Sequence, residues 1–421
     1  MSVALKTEKI TRSVLVLETL ITTLIEKRNK LVEFSESHRN LGEKFYYILF
    51  VSMILAQYIS NTMLYTLMPN DSLIYVVMDI IACLAVIKTV LFDRYNDLKE
   101  LFLAISIGLI IWACCINSTV LSPLYYYAMI IGAKNVNFKN ILIIFISTLV
   151  IAIPATMLMT HFNVIPEILN SRTGSARIRY SMGATYPTDF AARLFYLMLA
   201  YATLKKFKFN LPEYVGLVSL TFFTYVTTDT KLDVLLMLAV ILVSIFNKYI
   251  FSILKVLGSF GVTFISFLGI SVMVIMTYLY NPDNRFLELM NKVFTKRLEF
   301  GHISFEKYNV TLFGQNIPQI GNGGLHKGYY EYFFIDCSYV RILMMMGAIS
   351  FFIFLFAILY LFMKFYKIQS MELVAALIFV LISSLIDHHL LEISFNPFLI
   401  VFMTDVGYFI RNKYFNMFRG D

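Results

Sequence analysis

Long apolar stretches without a single charged side chain dominate this sequence. Three of them, Phe45–Thr66, Ile141–Thr160 and Val256–Tyr280, reach the length of about 20 residues that a helix needs to cross a membrane. They are apolar on every side, whereas a helix of a soluble domain has one apolar stripe. Charged residues make up 15% of the chain, against about 25% in soluble domains. The sequence therefore predicts an all-α, polytopic integral membrane protein.

The distribution of Lys and Arg predicts the topology. Both residues gather in the two tails and in every second connection, as on the cytoplasmic side of membrane proteins. Short connections on the other side, such as 67–71 and 388–395, contain neither. About twelve helices with the N- and C-termini inside account for this pattern, so the net charge of +8 implies no nucleic-acid partner. The predicted spans are 45–66, 72–92, 100–116, 119–133, 140–160, 188–205, 212–228, 231–248, 256–280, 337–363, 371–387 and 396–411.

The chain divides into a basic tail (1–44), a transmembrane domain (45–411) and a short second tail (412–421). The first tail lacks the cleavage site of a signal peptide, and within it Val14–Ile25 is either a surface-lying amphipathic helix or plain cytosolic chain. Two external loops, 161–187 and 281–336, are longer than connections in compact proteins usually are. Their Pro, Gly and aromatic residues predict that both loops are structured and carry function.

Four arginines form the first group of candidate site residues. Three of them, Arg172, Arg177 and Arg179, lie in the shorter loop among small residues and could bind phosphate oxygens with two hydrogen bonds each. Arg193 lies one turn inside the following span, where a charge normally faces a partner or a wet cavity. This pattern favours binding of a diphosphate, while lipid headgroups are the alternative ligand for the three loop arginines.

The second group lies in and after the longer loop. Arg297 follows several basic residues, and Asp336 and Arg341 flank the start of the next span. Asp336 either takes part in chemistry or is the N-cap of that helix, a position that Asp suits well. Arg341 falls within the first turns of the span, which indicates a polar cavity there.

The third group, His388, His389 and Glu392, lies between the last two predicted spans. Any of the three could act as a general base, or they could form interfacial hydrogen bonds only. We predict no metal and no cofactor, because adjacent histidines seldom converge on one ion and the four cysteines lack metal-ligand spacing. Asp79 and Asp405 also fall within predicted spans, where they pair with arginines, line a cavity or hydrogen-bond between helices.

No phosphate-binding loop, Gly-x-Ser-x-Gly motif or nucleotide-binding domain occurs in the sequence. All candidate polar groups gather at the outer border of the predicted bundle. An enzyme built in this way would take a substrate that is already activated and already on that side.

Motifs between residues 170 and 410 resemble those of the Wzy-type polysaccharide polymerases, which are relatives of the O-antigen ligases. The resemblance is carried by Arg179-x3-Gly183-x3-Pro187, by Arg297 before Leu312-Phe-Gly314, by Asp336-Cys-Ser-Tyr339 and by the late His–Glu–Asn-Pro stretch. The chain departs from the family at Thr230-Lys231, where many members have Ser-Arg, and at Arg341, where relatives are more often apolar.

The resemblance implies a metal-independent membrane glycosyltransferase of GT-C-like class B architecture in the bacterial plasma membrane. It would polymerise undecaprenyl-diphosphate-linked oligosaccharides into capsular polysaccharide or exopolysaccharide at the outer face, with the arginines on the diphosphate and His388, His389, Glu392 or Asp336 in catalysis. Its partners would be these lipid-linked oligosaccharides and membrane lipids, with a chain-length regulator and a flippase beside it and no nucleic acid. The alternatives are a ligase that uses another acceptor, and a flippase or exporter of the lipid-linked oligosaccharide.

Overall fold

The structure is a computed structural model that describes residues 39–70, 72–93, 98–171, 177–325 and 332–410, together with positions 19, 22, 23 and 25–27. The predictions for Arg172, for the tail 412–421 and for most of the tail 1–44 concern residues outside this description.

The described chain is almost entirely helical. In chain order the elements are α1 (Arg39–Ser60), α2 (Ser72–Phe92), α3 (Leu98–Ser118), α4 (Ser122–Gly132), α5 (Phe138–His161), β1 (Leu169–Ser171), β2 (Ile178–Tyr180), α6 (Pro187–Leu204), α7 (Leu211–Thr228), α8 (Lys231–Ile245), α9 (Asn247–Tyr278), α10 (Arg285–Val293), α11 (Arg297–Lys307), α12 (Ser338–Arg341), α13 (Gly347–Lys367) and α14 (Met371–Ser383). A π-helical turn, Ile342–Met346, joins α12 to α13, and single 3₁₀ turns lie at Met63–Leu67 and His389–Leu391.

Helices long and apolar enough to cross a membrane make up much of this bundle. Among the described residues there are five: Ser72–Phe92, Lys99–Ser118, Phe138–His161, Asn247–Tyr278 and Ser338–Lys367. Large apolar side chains point outward from them, and Ile151 and Phe260 are 72% and 81% exposed. An outer surface of this kind suits hydrocarbon and not water. The protein is therefore a helical protein embedded in a membrane.

Helices α6 and α14 form the centre of the bundle. Most of their side chains are buried, thirteen of eighteen in α6 and eleven of thirteen in α14. A helix that is covered on every side needs apolar residues around its whole circumference. Arg193 on α6 is the large exception to this rule, and the candidate site forms around it.

The last predicted span, 396–411, is not an α-helix, which corrects that part of the twelve-helix prediction. Its described residues, 396–410, contain two helical segments, the 3₁₀ turns Phe398–Phe402 and Gly407–Phe409. Its backbone is paired elsewhere, since the N–H of Phe138 donates to the carbonyl of Asp405 at 2.9 Å and the N–H of Asp405 donates to Val136 at 2.8 Å. Lys364 of α13 donates to three further carbonyls, those of Val401, Phe402 and Thr404.

Both long loops, 161–187 and 281–336, contain regular structure in their described residues, as predicted. The shorter one contains the antiparallel pair β1–β2, with Asn170 opposite Arg179. The longer one contains α10 and α11 and then runs against the start of α13, where the N–H of Ala348 donates to Thr311 at 2.9 Å. Gly314 and Gly347 touch at this crossing, and a Cβ on Gly314 would lie 2.4 Å from the carbonyl oxygen of Met345. The loop is thereby fixed next to the π-helical turn.

Polar side chains inside the bundle find partners on neighbouring helices or at the end of their own helix. The hydroxyl of Tyr125 on α4 donates to Asp79 on α2 at 2.9 Å, so Asp79 hydrogen-bonds between helices. Lys88 and Asp93 form a buried ion pair at 2.8 Å, and Lys88 also donates to the carbonyl of Lys134. These contacts satisfy groups that would otherwise be costly to bury.

Candidate active site

The connection that follows α14 carries the two histidines, and contacts with two other elements and within the connection itself hold it in place. The N–H of Ser338, at the start of α12, donates to the carbonyls of Ser384 and Asp387. From α1, the amide of Gln57 accepts from the N–H of Ser394 at 3.1 Å, and within the connection Asn396 donates to Leu390. A loop tied at so many points is a rigid support for chemistry.

His389 lies between two carboxylates. Its Nε2 is 3.4 Å from Asp189 on α6, and its Nδ1 is 3.2 Å from Glu392. The ring is also stacked on Phe395 at 3.6 Å between centroids. Burial alone would lower the pKa of His389, but Glu392 and Asp189 outweigh burial and raise the pKa to about 10. His389 is therefore an imidazolium cation at neutral pH.

His388 has the opposite electrostatics. Burial and the neighbouring charge of His389, whose ring centroid is 4.0 Å away, lower the pKa of His388 to about 3. Its Nε2 lies 3.9 Å from Glu392, beyond hydrogen-bonding distance, and its ring meets the edge of Phe334. His388 is thus a neutral imidazole with a nitrogen available to accept a proton.

Glu392 connects the histidines to α1. Burial raises the pKa of its carboxyl group, but the charge and hydrogen bond of His389 outweigh burial and lower the pKa to about 2. The side-chain amide of Asn61 donates to Glu392 at 3.0 Å. Glu392 is therefore ionised at neutral pH, and two partners already engage it.

Arg193 lies behind these residues and is 1% exposed. Its guanidinium lies between the rings of Tyr58 and Phe395, 4.6 and 4.4 Å from their centroids, and donates to the carbonyl of Asn61 at 3.1 Å. Its Nε is buried without a hydrogen-bond partner. Arg193 thus adds a fixed positive charge next to Glu392 but does not line the cleft described next.

A small cleft opens beside His388, with a cavity volume of about 50 Å³. Its polar lining includes His388, Glu392, Arg341 and Ser338, and its walls come from the α3–α4 connection and the π-helical turn. Arg341 makes one long hydrogen bond, 3.4 Å to the carbonyl of Ile335, and its guanidinium lies over the ring of Phe334. The apolar part of the lining is Val120, Pro123, Ile342, Met345, Met346, Leu390 and Leu391.

Arg297 faces a second group of carboxylates. It donates to the carbonyl of Ile386 and lies 3.9 Å from Asp387. Burial raises the pKa of Asp387 above its ordinary value, although His389 and Arg297 oppose the rise. Burial likewise raises the pKa of Asp336 against the charge of Arg297. Asp336 is not the N-cap of α12, since Cys337 occupies that position.

Arg177 and Arg179 are engaged by the C-terminal end of α7. Arg177 donates to Asp229 at 3.1 Å and to the carbonyls of Tyr225 and Val226, and Arg179 donates to Thr228 at 2.7 Å. Cations are favourable at this end of a helix because its last carbonyls carry partial negative charge. The structure thus brings Arg193, Arg297 and Arg341 towards the histidines, whereas Arg177 and Arg179 contact α7.

His388, His389 and Glu392 also bring one metal-ligand atom each within 4.8 Å of one another. A metal ligand must be a neutral imidazole, however, and both ring nitrogens of His389 face carboxylates. These three side chains are therefore better suited to hydrogen bonds between charged groups than to binding a metal ion.

Asp189 and Asn61 are the site residues that the sequence analysis missed. Asp189 lies four residues before Arg193, so the two share one face of α6. A pair of opposite charges at this spacing, in a helix otherwise almost uncharged, is a signal that could have identified Asp189. Asn61 follows the end of α1, and no charge or motif marks it.

Comparison with protein-family models, curated proteins and solved structures finds no match to this chain.

Proposed function

We propose that the protein is a membrane glycosyltransferase that polymerises oligosaccharide units carried on a lipid diphosphate. The observation that carries the proposal is that a neutral imidazole, His388, and a weakly bonded guanidinium, Arg341, line the same partly apolar cleft. Transfer of a sugar from a diphosphate needs a base for the acceptor hydroxyl and positive charge for the leaving group. The cleft supplies both.

In the proposed reaction, an acceptor sugar hydroxyl attacks the anomeric carbon of the donor. The bond between that carbon and the diphosphate oxygen breaks, and the lipid diphosphate leaves with the electron pair. His388 accepts the hydroxyl proton as the new bond forms; its lowered pKa keeps the ring unprotonated at neutral pH and also makes it a weaker base than an ordinary histidine. Arg341 donates hydrogen bonds to the departing diphosphate, an effect typically worth about 3–4 kcal/mol for one well-placed donor. The apolar walls of the cleft suit the first carbons of a lipid carrier.

The remaining predicted residues have supporting roles in this proposal. The charge of His389, together with burial, holds His388 neutral, and Glu392 and Asp189 keep His389 protonated. Arg297, which contacts the connection before His388, was assigned to the diphosphate from the sequence, and so was Arg193. We propose that Arg193 and Arg297 also contact the diphosphate, in a conformation in which their side chains reach the cleft. The outer face of a bacterial plasma membrane and an undecaprenyl carrier remain the proposed setting.

The proposal is tested by the length distribution of cell-surface polysaccharide. We expect a strain that lacks the gene to lose long polymer and to keep single lipid-linked units on the outside. Full-length polymer that accumulates unattached would instead favour a ligase, and units trapped inside would favour a flippase or exporter.

Point variants then test the site in the same assay. His388→Gln and Arg341→Gln should each remove long polymer while the protein is still inserted in the membrane at normal amount. His161→Gln, a change at the exposed end of α5, is the matched control and should leave the profile unchanged. Normal polymer from His388→Gln would reject His388 as the base, and normal polymer from Arg193→Ala with Arg297→Ala would reject their assignment to the diphosphate.

A further inference from the structure

Helix α10, Arg285–Val293, packs Leu287 and Met290 against the core but leaves another part of its apolar face uncovered by the protein. Asn291 faces the protein and is buried, where its amide donates to Tyr280 at 3.0 Å and to Glu299 at 3.3 Å. Phe286, Leu289 and Val293 face outward and are 60%, 55% and 50% exposed. Three large apolar side chains on one face need a covering that is not water.

The place of α10 in the fold indicates what covers this face. Only residues 279–284 separate the helix from the end of the long apolar helix α9. The last turn of α9 also presents apolar side chains outward, with Tyr278 and Leu279 more than half exposed. The apolar face of α10 therefore continues the lipid-facing surface of α9 at the level where that helix leaves the hydrocarbon core.

Basic residues flank the apolar face. At 3.6 residues per turn, Arg285 and Lys292 fall on one side of the stripe that Phe286, Leu289 and Val293 form. The Lys292 side chain is 72% exposed, and its ion pair with Glu288, at 3.4 Å, is of the weak surface kind. Glu288 accepts from the hydroxyl of Tyr280 on the protein-facing side.

One basic and one acidic side chain lie just outside the two ends of α10. Lys296, just beyond α10, is 66% exposed in a 3.8 Å pair with Glu299. Asp283 is the exposed acidic residue before the helix. Long basic side chains beside an apolar stripe place their charges at the level of lipid phosphates.

We propose that α10 is an interfacial helix that lies in the membrane surface and binds anionic phospholipid headgroups through Arg285, Lys292 and Lys296. Phe286, Leu289 and Val293 enter the acyl-chain border. The proposal concerns a lipid-binding surface and does not depend on the proposed glycosyltransferase activity. Its consequence for the fold is that the bilayer fixes the position of the external loop, of which α10 is the first element.

The single tryptophan of the chain makes a direct test possible, since Trp112 can be replaced to give a dark background. We would place one probe at Leu289 in a Trp112→Phe protein (Leu289→Trp) and reconstitute the full chain into vesicles of phosphatidylcholine and phosphatidylglycerol. Glu306→Trp in the same background is the matched control, because Glu306 lies on α11 of the same loop and is exposed. Lipids brominated near the headgroup end of the acyl chain should quench the probe at 289 strongly and the probe at 306 weakly.

Headgroup preference is measured by moving the bromine between the two lipids. At equal mole fraction, brominated phosphatidylglycerol should quench the probe at 289 more than brominated phosphatidylcholine does. The triple variant Arg285→Gln/Lys292→Gln/Lys296→Gln should abolish that difference, and Lys367→Gln, a charge removal at the end of α13, should keep it.

Three outcomes would overturn the proposal. A probe at 289 that is quenched by iodide in water and not by brominated lipid would mean that the face is exposed to water. A probe that neither quencher reaches would mean that protein covers it. Equal quenching by both brominated lipids before any charge is removed would reject the anionic headgroup.

Discussion

The charge on His389 can be removed with little change of shape by the substitution His389→Gln. In the native protein the ring lies 3.4 Å from Asp189 and 3.2 Å from Glu392, and both contacts favour the protonated form. Folding raises the pKa of this group from about 6.5 to about 10. At about 1.4 kcal/mol for each pH unit, the free energy that links protonation to folding is on the order of 5 kcal/mol.

The direction of the pH dependence follows from the raised pKa. The stabilising contribution of His389 is fully present below about pH 6.5 and is lost progressively as the pH rises towards about 10. The native protein should therefore become less stable over this range, whereas His389→Gln should be destabilised at pH 6.5 and close to native stability at pH 10. Glu392 acts in a separate window, because its lowered pKa makes its contribution disappear only as the pH falls from about 4.5 towards about 2.

Thermal unfolding of the purified full chain, followed at a series of pH values in one lipid or detergent, measures this difference. The matched control is His161→Gln, whose imidazole lies at the exposed end of α5. The control should follow the native pH profile, and His389→Gln should flatten it. Parallel profiles for the native protein and His389→Gln would refute the reasoning, since His389 would then be neutral and would no longer hold His388 neutral.

Three further changes test the fold. Gly314→Ala should lower the unfolding temperature, because Gly314 has a φ of +83° and no room for a Cβ. Its control is Gly269→Ala, inside α9 with open space around it, which should raise the free energy of unfolding by about 0.5–1 kcal/mol. Asp93→Asn should cost about 3–5 kcal/mol in unfolding free energy by leaving Lys88 buried and unpaired, and Lys88→Met/Asp93→Leu should recover most of it. Lys364→Met should cost about 1–3 kcal/mol in the same thermal assay, because three carbonyls lose their common donor.

The sequence predicted the helices well because crossing a membrane is largely a local property of the chain. The hydropathy of a segment such as 141–160 is enough to identify α5, Phe138–His161, to within a few residues. The segment 396–410 is also mostly apolar but is not an α-helix, and Val136 and Phe138 pair with its backbone at Asp405. Hydropathy reports that a segment is buried and carries no information about such a distant partner.

The sequence was enough to predict which residues form the candidate site but not how they contact one another. His388, His389, Glu392, Arg193 and Arg341 are recognisable from the sequence as polar groups in an apolar chain. The charge on His389 depends on Glu392 and also on Asp189, which lies two hundred residues away, and no spacing rule links position 189 to position 389. Which histidine is neutral is therefore a property of the folded protein alone.

The two adjacent histidines differ in charge, because one ring is protonated and the other is neutral. Their rings are 4.0 Å apart, and two positive charges at that distance oppose each other strongly in a low-dielectric interior. Because Asp189 and Glu392 fix the charge on His389, His388 is the ring that gives up its proton. Two titratable groups whose surroundings push their pKa values apart are the usual basis for separate roles in acid–base chemistry. The neutral ring lines the cleft and the charged ring is buried in the protein, so in the proposed reaction the ring that can accept a proton is the one on the substrate side.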